Sequence, residues 1–342
     1  MIRLRHGGRS TLAGLALVTL LATGAGAQTK IGFTLDRGFD GLAAPYLLAL
    51  DKGYFKAEGL NVAIDAAPAP ADPIARVASG LYDMGVADIN ALIKFRDANP
   101  TQPIPAVFIM YNKPPYAVIG RFSRGTASPK DLEGKTLAAP AADPAFAAWP
   151  IFVKTSGIDD AKVKIVNVGL AVRVPMLAAG QIDATTGLSF ASYVDLKEGG
   201  VPADDIVLMK MADYGVELYG NAVIVNPQFA AKHPDAVKGF LRALLKGVKE
   251  TVRQPEAAIE TVLKRSNAAG KATELERLTI AVRHMIVTAE VKENGYGGID
   301  TARFARAIDQ LALAYKFKNA KPEPEDIFNA AYLPPAEDRQ FR

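Results

Sequence analysis

The stretch KIGFTLDRGFDGLAAPYLLALDKGYFKAEGLNVAIDA, residues 30–66, decides the fold of this chain. Lys30–Leu35 and Asn61–Ala66 have the composition of strands, and the leucine-rich segment Ala43–Lys52 between them repeats apolar residues at helical spacing. Strand–helix–strand units with short links build parallel sheets with helices on both faces. The stretch therefore predicts an α/β fold.

The same alternation continues toward the C-terminus and then begins a second time. Further strands are predicted at Gly85–Val86, Ala106–Tyr111, Tyr116–Arg121, Lys135–Ala139, Lys164–Val168, Ala184–Thr186, Ile206–Met209 and Ala222–Val225. We predict one lobe from residues 28–120 together with 220–342, and a second lobe from residues 121–219. Two hinge crossings near Gly120 and Gly220 would join them, and the part after Pro227 is predicted to be mainly helical.

The N-terminus has the features of a secretory signal peptide. Arg3, Arg5 and Arg9 form a basic region, Thr11–Ala22 is a short apolar run, and Ala25-Gly26-Ala27 supplies small residues for cleavage after Ala27. The apolar run is shorter than the roughly 20 residues of a membrane span. We therefore expect residues 1–27 to direct export, leaving a soluble periplasmic protein that does not insert into the membrane.

Composition narrows the function classes further. Removing residues 1–27 leaves 37 basic against 36 acidic residues, so a basic surface for nucleic acid is not indicated. The chain has no cysteine, which excludes disulfides and a lipid-modified cysteine. We expect a monomer whose core alone holds the fold.

Signatures of catalysis are mostly missing. Beyond His6 in the predicted signal peptide, His233 and His284 are the only histidines, and neither lies near a second metal-ligand type at usable spacing. No phosphate-binding glycine motif is present. We therefore predict no catalytic residues, no metal and no cofactor.

Polar and aromatic residues instead follow the predicted strands. In open α/β sheets, ligands bind beyond the carboxyl ends of the strands. We therefore expect these segments to face one another across a cleft between the lobes. The candidate ligand-binding residues are Asp36, Arg37, Phe39, Asp88, Asn90, Tyr111, Asp143, Phe146, Trp149, Ser189, Phe190 and Tyr214.

Several of these candidates also have a purely structural interpretation. Asp143 has the position of a helix N-cap, and Trp149 has the size and context of a core residue. Asp36 and Arg37 are able to pair with each other and leave the ligand untouched. The clustering at strand ends carries more information than any single member.

Four segments resemble one known family. Gly53–Leu60, Ser128–Lys135, Ala179–Ala184 and the run from His233 to Ala243 are similar to conserved blocks of the SsuA/THI5-like (NMT1-like) substrate-binding proteins, in the same order. The resemblance implies a type II periplasmic binding protein fold and an ABC importer partner with a permease and an ATPase. Relatives of this kind bind taurine and other sulfonates, nitrate, or heterocycles such as thiamine pyrimidine precursors and riboflavin.

One branch of that family is an enzyme, a thiamine pyrimidine synthase that uses pyridoxal phosphate, its own histidine and iron. Its histidine follows the first strand, whereas Asp36–Pro45 contains none here, and its cysteine-rich motif has no counterpart in this chain. The residues therefore favour a non-enzymatic receptor over the synthase.

The candidate cleft is rich in aromatic residues and carries the acids Asp36, Asp88 and Asp143. A sulfonate or nitrate ion would require arginine or helix N-termini and few unpaired carboxylates. This composition favours a neutral or weakly basic planar solute, such as a pyrimidine-like heterocycle, held by hinge closure, and leaves anion binding as the alternative.

Overall fold

The computed structural model describes residues 1–2, 28–67, 72–266 and 270–341. Residues 3–27, which make up nearly all of the predicted signal peptide, lie outside the described residues. Among the helices of the described ranges, none has both the length and the hydropathy needed to cross a bilayer.

Strands and helices alternate through the first two thirds of the chain. The strands are β1 (Thr29–Thr34), β2 (Leu60–Asp65), β3 (Met84–Asp88), β4 (Ala106–Ile109), β5 (Tyr116–Arg121), β6 (Thr136–Ala138), β7 (Lys164–Val166), β8 (Ala184–Leu188), β9 (Ile206–Lys210) and β10 (Asn221–Val225). The helices among them are α1 (Ala44–Asp51), α2 (Tyr54–Ala57), α3 (Asp72–Ala78), α4 (Ile89–Ala98), α5 (Pro144–Ala147), α6 (Trp149–Ser156), α7 (Arg173–Ala178) and α8 (Ser189–Glu198).

The part after β10 is helical, as predicted. It contains α9 (Pro227–Lys232), α10 (Pro234–Arg253), α11 (Pro255–Leu263), α12 (Lys271–Ala281), α13 (Ala289–Asn294), α14 (Thr301–Ala314), α15 (Pro324–Ile327) and α16 (Ala336–Arg339). A π-helical turn, Val282–Ile286, follows α12 directly. The long amphipathic helix α10 packs on α1 and buries the residues of its apolar face, among them Phe240 and Leu244.

The strands form two five-stranded sheets. The first sheet has the order β2-β1-β3-β10-β4 and the second the order β7-β6-β8-β5-β9. In each sheet the strand that follows a crossing, β10 or β5, is antiparallel to both of its neighbours, while the strands β1–β3 and β6–β8 pair in parallel. The predicted α/β architecture with two lobes is confirmed.

The first crossing lies earlier than predicted. Strand β5 pairs with β8 and β9 of the second sheet, so the predicted crossing near Gly120 falls inside a strand of lobe 2. The chain changes sheets between Met110 and Pro115, and it returns through residues 215–220. The sequence placed residues 116–120 in lobe 1 because a buried apolar strand does not indicate which sheet it joins.

Candidate ligand-binding cleft

The segment after β1 in lobe 1 lies against the start of α8 in lobe 2, and the carboxyl end of β3 lies against the start of β5. Phe190, near the start of α8, is fully buried in the same hydrophobic cluster as Tyr111 and Met285 of lobe 1. The guanidinium of Arg37 lies 5.1 Å from the centroid of the Phe190 ring. The structure thus brings Arg37, Tyr111 and Phe190 together, as the strand-end argument required.

Arg37 is held between two carboxylates at the end of β1. Its Nη2 lies 3.1 Å from Asp36 Oδ2, and its Nη1 lies 3.9 Å from Asp40 Oδ2. Burial alone would lower the pKa of Arg37, but the two carboxylates raise it above its usual value. Asn221 of β10 donates to Asp36 Oδ2 at 2.8 Å. The pairing of Asp36 with Arg37 that the sequence left open is present, and Arg37 is charge-compensated.

Two phenol hydroxyls in this group have no hydrogen-bond partner among the described residues. The Tyr46 hydroxyl is buried without a hydrogen-bond partner. The Tyr111 side chain is also buried, and its hydroxyl makes no hydrogen bond to a described residue. Burial raises the pKa of both phenols, and the charge of Asp36 raises it further. Both hydroxyls are therefore protonated at neutral pH and able to donate to a solute.

A second group lies beside the first crossing. The Tyr116 hydroxyl of lobe 2 donates to Asp88, which also caps α4 by accepting from the backbone of Asn90 at 2.8 Å. Burial raises the pKa of Asp88, although the hydrogen bond from Tyr116 and the capping bonds oppose that rise. The Asn90 side chain donates to the Tyr219 carbonyl at 2.8 Å. These residues join the two lobes next to the hinge.

Lobe 2 contributes a buried ion pair. Asp143 is 1% exposed, and its Oδ2 accepts from Arg173 Nη1 at 2.8 Å and from the Thr186 hydroxyl at 2.7 Å. Its Oδ1 caps α5 by accepting from the Ala145 backbone at 3.0 Å. The N-cap interpretation of Asp143 is therefore correct, and the side chain also fixes Arg173. Because the Asp143 carboxylate accepts three hydrogen bonds, it holds Arg173, Thr186 and the start of α5 in fixed positions.

Two unpartnered polar atoms lie next to this pair. Arg173 Nε and Ser192 Oγ are buried without hydrogen-bond partners among the described residues. Both side chains crowd against Gly187, where an added Cβ would lie 2.5 Å from Ser192 Oγ and 3.3 Å from Arg173 Nη2. The absent side chain at Gly187 is what lets both approach the end of β8.

Three predicted site residues pack in or against one hydrophobic core cluster. The indole of Trp149 donates to Asp160 at 2.8 Å, and the side chain is 3% exposed in the core cluster that also contains Phe152. Tyr214 packs edge-on against Phe152 at 5.7 Å, and Phe146 is half-buried against the same cluster. Core packing thus accounts for the positions of all three, because a large aromatic side chain near a strand end is also able to pack against the buried face of a helix.

The remaining candidates have modest roles. Phe39 is half-buried against the lobe 1 core. Ser189 is buried at the start of α8, where its backbone donates to the Pro115 carbonyl at 2.8 Å. Ser189 also lines an interlobe groove of about 540 Å³ whose other wall includes Ile280 and His284. This groove reaches one side of the cleft from solvent.

Sequence reasoning missed Arg173, Tyr116 and Ser192. Arg173 begins a helix after an edge strand, which is a position of the same kind as Asp143, and this signal was available. Ser192 lies inside α8, and no sequence feature marks it. Tyr116 was assigned to the wrong lobe, so its hydroxyl was not expected to reach Asp88.

Comparison with known proteins places this fold in a family. The model described as NMT1/THI5 like matches residues 42–258, more than half of the chain. The chain belongs to the NMT1/THI5-like family. The resemblance inferred from the four sequence blocks is thereby confirmed.

Curated relatives of this family member fall into two kinds. The formylaminopyrimidine-binding protein of Halalkalibacterium halodurans is 27% identical over 289 residues, which are 83% of this chain and 84% of that protein. Riboflavin-binding protein RibY of Chloroflexus aurantiacus is 26% identical, over 64% of this chain and 62% of its own length. The 4-amino-5-hydroxymethyl-2-methylpyrimidine phosphate synthase of Schizosaccharomyces pombe is 26% identical, over 62% of each chain.

Solved structures share the fold at low identity. The aliphatic sulphonate binding protein SsuA of Escherichia coli superposes with a TM-score of 0.67 at 16% identity, covering 89% of this chain and 99% of SsuA. The nitrate-binding protein NrtA of Synechocystis has a TM-score of 0.60 at 10% identity, with coverage of 87% and 84%. The predicted periplasmic binding protein fold is confirmed, and the NMT1/THI5-like relatives include substrate-binding proteins.

Proposed function

We propose that this protein is an exported, non-enzymatic solute receptor that closes its two lobes over a neutral or weakly basic planar heterocycle, with an aminopyrimidine as the best candidate. The charge balance of the cleft carries this proposal. Both arginines in the described cleft are already paired with carboxylates, Arg37 with Asp36 and Arg173 with Asp143. Asp40 and Asp88 add further acid to the same surface.

This balance disfavours a small anion. A sulfonate or nitrate ion would have to draw a guanidinium away from its carboxylate, which for the buried Arg173–Asp143 pair costs about 3–5 kcal/mol. A neutral heterocycle leaves both pairs intact. It also accepts hydrogen bonds on its ring nitrogens and donates them from amino groups, which match hydroxyl and carboxylate partners.

The cleft has the remaining features that such a solute requires. The free hydroxyls of Tyr46 and Tyr111 lie in lobe 1, and Arg173 Nε with Ser192 Oγ lies in lobe 2. Phe190 supplies an aromatic face between the two sets. Polar groups from both lobes gain partners only when the lobes are closed on a solute, so the solute favours the closed form.

The receptor function is preferred over the synthase function for a reason of composition. The chain has no cysteine, and within the described ranges no group of three or more His, Asp or Glu side chains is arranged to hold a metal ion. Among the three curated relatives compared above, the one with the greatest coverage is named for binding a formylaminopyrimidine. We further propose export through residues 1–27, a periplasmic location, and delivery of the solute to a permease and ATPase.

A binding screen with the purified protein tests the solute class. We expect an aminopyrimidine, with or without an N-formyl group, to raise the melting temperature, because a ligand at 100 times its Kd adds about 2.7 kcal/mol to stability. Riboflavin, taurine and nitrate are run in parallel. A shift with taurine or nitrate alone would contradict the heterocycle proposal. Turnover of pyridoxal phosphate with loss of a protein histidine would contradict the receptor proposal.

A matched pair of variants localises the binding. Tyr111→Phe removes a hydroxyl without a protein partner, so we expect weaker aminopyrimidine binding by about one order of magnitude, with unfolding free energy unchanged within about 0.5 kcal/mol. The control is Tyr315→Phe, far from the cleft, whose hydroxyl donates to Asp97 at 2.8 Å. Equal affinity of both variants for the aminopyrimidine would show that the Tyr111 hydroxyl does not contact it.

A further inference from the structure

The two segments that join the lobes are hydrogen-bonded directly, through the Gly220 N–H and the Tyr111 carbonyl at 2.9 Å, and both are also bound by one arginine. Arg303, in the first turn of α14, donates through Nη2 to the Asn112 carbonyl at 2.8 Å and to the Leu218 carbonyl at 2.9 Å. Its Nε donates to the Glu217 carbonyl at 3.0 Å. Asn112 belongs to the first crossing, and Glu217 and Leu218 belong to the second.

The other arm of the guanidinium is anchored on an acid. Arg303 Nη1 donates to Glu290 Oε2 at 2.9 Å and to Asn112 Oδ1 at 3.1 Å. A guanidinium has five N–H donors, and here all five are directed to the two crossings or to Glu290. The Arg303 guanidinium also lies 3.9 Å from the centroid of the Tyr219 ring in the second crossing.

Glu290, the partner of Arg303, also contacts both crossings through its carboxylate. Its Oε1 accepts from the Asn112 side chain at 2.7 Å and from the Tyr219 hydroxyl at 2.7 Å. One residue of each crossing therefore contacts both members of the ion pair. Arg303 is 13% and Glu290 20% exposed in their side chains, so the pair is only weakly screened by solvent.

The ion pair itself is attached to lobe 1. The segment between α13 and α14 is bound to β4, where the Ile109 backbone donates to the Gly297 carbonyl at 2.8 Å. Helix α14 also packs on α6 of lobe 2. A rotation of lobe 2 therefore has to occur around a point that both crossings share, because neither crossing is able to shift without breaking several charge-assisted hydrogen bonds.

We propose that Arg303, seated on Glu290, is the positioning residue of the hinge: it holds both crossings at one fulcrum and limits how far the lobes open. The proposal rests on the proposed function insofar as that function uses lobe closure. Without the clamp, the crossings keep the hydrogen bond from the Gly220 N–H to the Tyr111 carbonyl but lose their shared anchor on α14, so the lobes sample a wider range of separations. A hinge is defined by the few residues that absorb the dihedral change, and this clamp confines them to a short part of each crossing.

The absence of cysteine makes a direct measurement possible. Leu81 of lobe 1 is 70% exposed and Phe122 of lobe 2 is 68% exposed, so Leu81→Cys and Phe122→Cys place one spin label on each lobe. Pulsed electron–electron double resonance then measures the distribution of distances between the two spin labels in the full chain without solute. We expect Arg303→Met to widen this distribution at least twofold and to weaken aminopyrimidine binding at least fivefold.

The matched control is Arg306→Met, one turn further along α14. Arg306 is 56% exposed and pairs with the Glu217 carboxylate at 2.7 Å, without a hydrogen bond to the crossing backbone. We expect the parent distribution from this variant. If Arg303→Met gives the same width as Arg306→Met, the clamp is not the fulcrum and the proposal is overturned.

Two milder variants keep the test decisive if Arg303→Met does not fold. Arg303→Lys retains the charge but has three donors instead of five, and Glu290→Gln keeps the shape but removes the counter-charge. Each is expected to widen the distribution by a smaller factor than Arg303→Met, and parental widths in both would overturn the proposal. The distance measurement requires no solute, so a wrong solute class would leave its result unaffected.

Discussion

The two halves of the cleft use the same residue types in opposite ways. In lobe 1, Arg37 lies between Asp36 and Asp40 at the cleft surface, with side-chain exposures of 11–21%. In lobe 2, Arg173 meets Asp143 inside the lobe, and the acid is 1% exposed. The first half has excess acid and is partly exposed, whereas the second has balanced charges and an almost fully buried carboxylate.

This difference separates two tasks. Charges close to water are able to change protonation and to reorient around a solute at little cost. A buried pair that also caps a helix and binds Thr186 is fixed by the core around it. We infer that lobe 2 presents a rigid surface and that lobe 1 adjusts to the solute.

The largest effect is expected from Asp143→Ala. This change leaves the guanidinium of Arg173 buried without its counter-charge and removes the cap of α5, so we expect a loss of about 3–5 kcal/mol in the free energy of unfolding. Urea denaturation measures it. The double variant with Arg173→Met is expected to recover part of the loss, because an apolar pair of similar volume costs little.

Asp36→Ala is the counterpart in lobe 1. Its partner Arg37 remains next to Asp40 and close to water, so we expect a loss of about 1 kcal/mol. Equal losses from Asp36→Ala and Asp143→Ala would abolish the contrast between the two halves.

An intermediate effect is expected from Gly187→Ala. The new Cβ would lie 2.5 Å from Ser192 Oγ, which forces the end of β8 and α8 apart. We expect a cost of about 2 kcal/mol in the free energy of unfolding. Adding Ser192→Ala removes the clashing oxygen, which has no partner to lose, and should restore most of the stability. If the double variant is no more stable than Gly187→Ala, this packing account of lobe 2 is wrong.

A further effect is the pH dependence of lobe 1. Burial raises the pKa of Asp40 from 3.8 to about 6, against the opposing charge of Arg37. A carboxyl with a raised folded-state pKa stabilises the fold below its unfolded pKa, and that contribution is lost as pH rises through 6. Between pH 4 and 7 we expect the parent to lose about 2 kcal/mol relative to Asp40→Asn.

Asp213→Asn serves as the control for this titration, since Asp213 is 44% exposed and paired with Lys113 and Lys210. The amount by which the unfolding free energy of the parent exceeds that of Asp213→Asn should not decrease as the pH rises from 4 to 7. A parent curve parallel to that of Asp40→Asn would show that Asp40 titrates normally.

Local sequence patterns predicted the helices and strands but did not predict which elements and side chains contact one another. The βα alternation, the helical part after Pro227 and the strand-end location of Asp36 and Asp88 all follow from periodicity and turn chemistry. Strand-end position does not distinguish a residue that faces the other lobe from one that packs under a helix, so only the structure shows that Trp149 and Tyr214 pack against Phe152.

The sequence by itself determined the class of fold, the family, and the positions along the chain where polar residues end strands. Only the tertiary structure decided that β5 joins the second sheet, that Arg173 is neutralised by Asp143, and that Arg303 binds both crossings. The physical reason is range. Helix and strand patterns depend on neighbours within a few residues, whereas the partners of Arg173 and Arg303 lie 30 and 191 residues away and come into contact only in the folded chain.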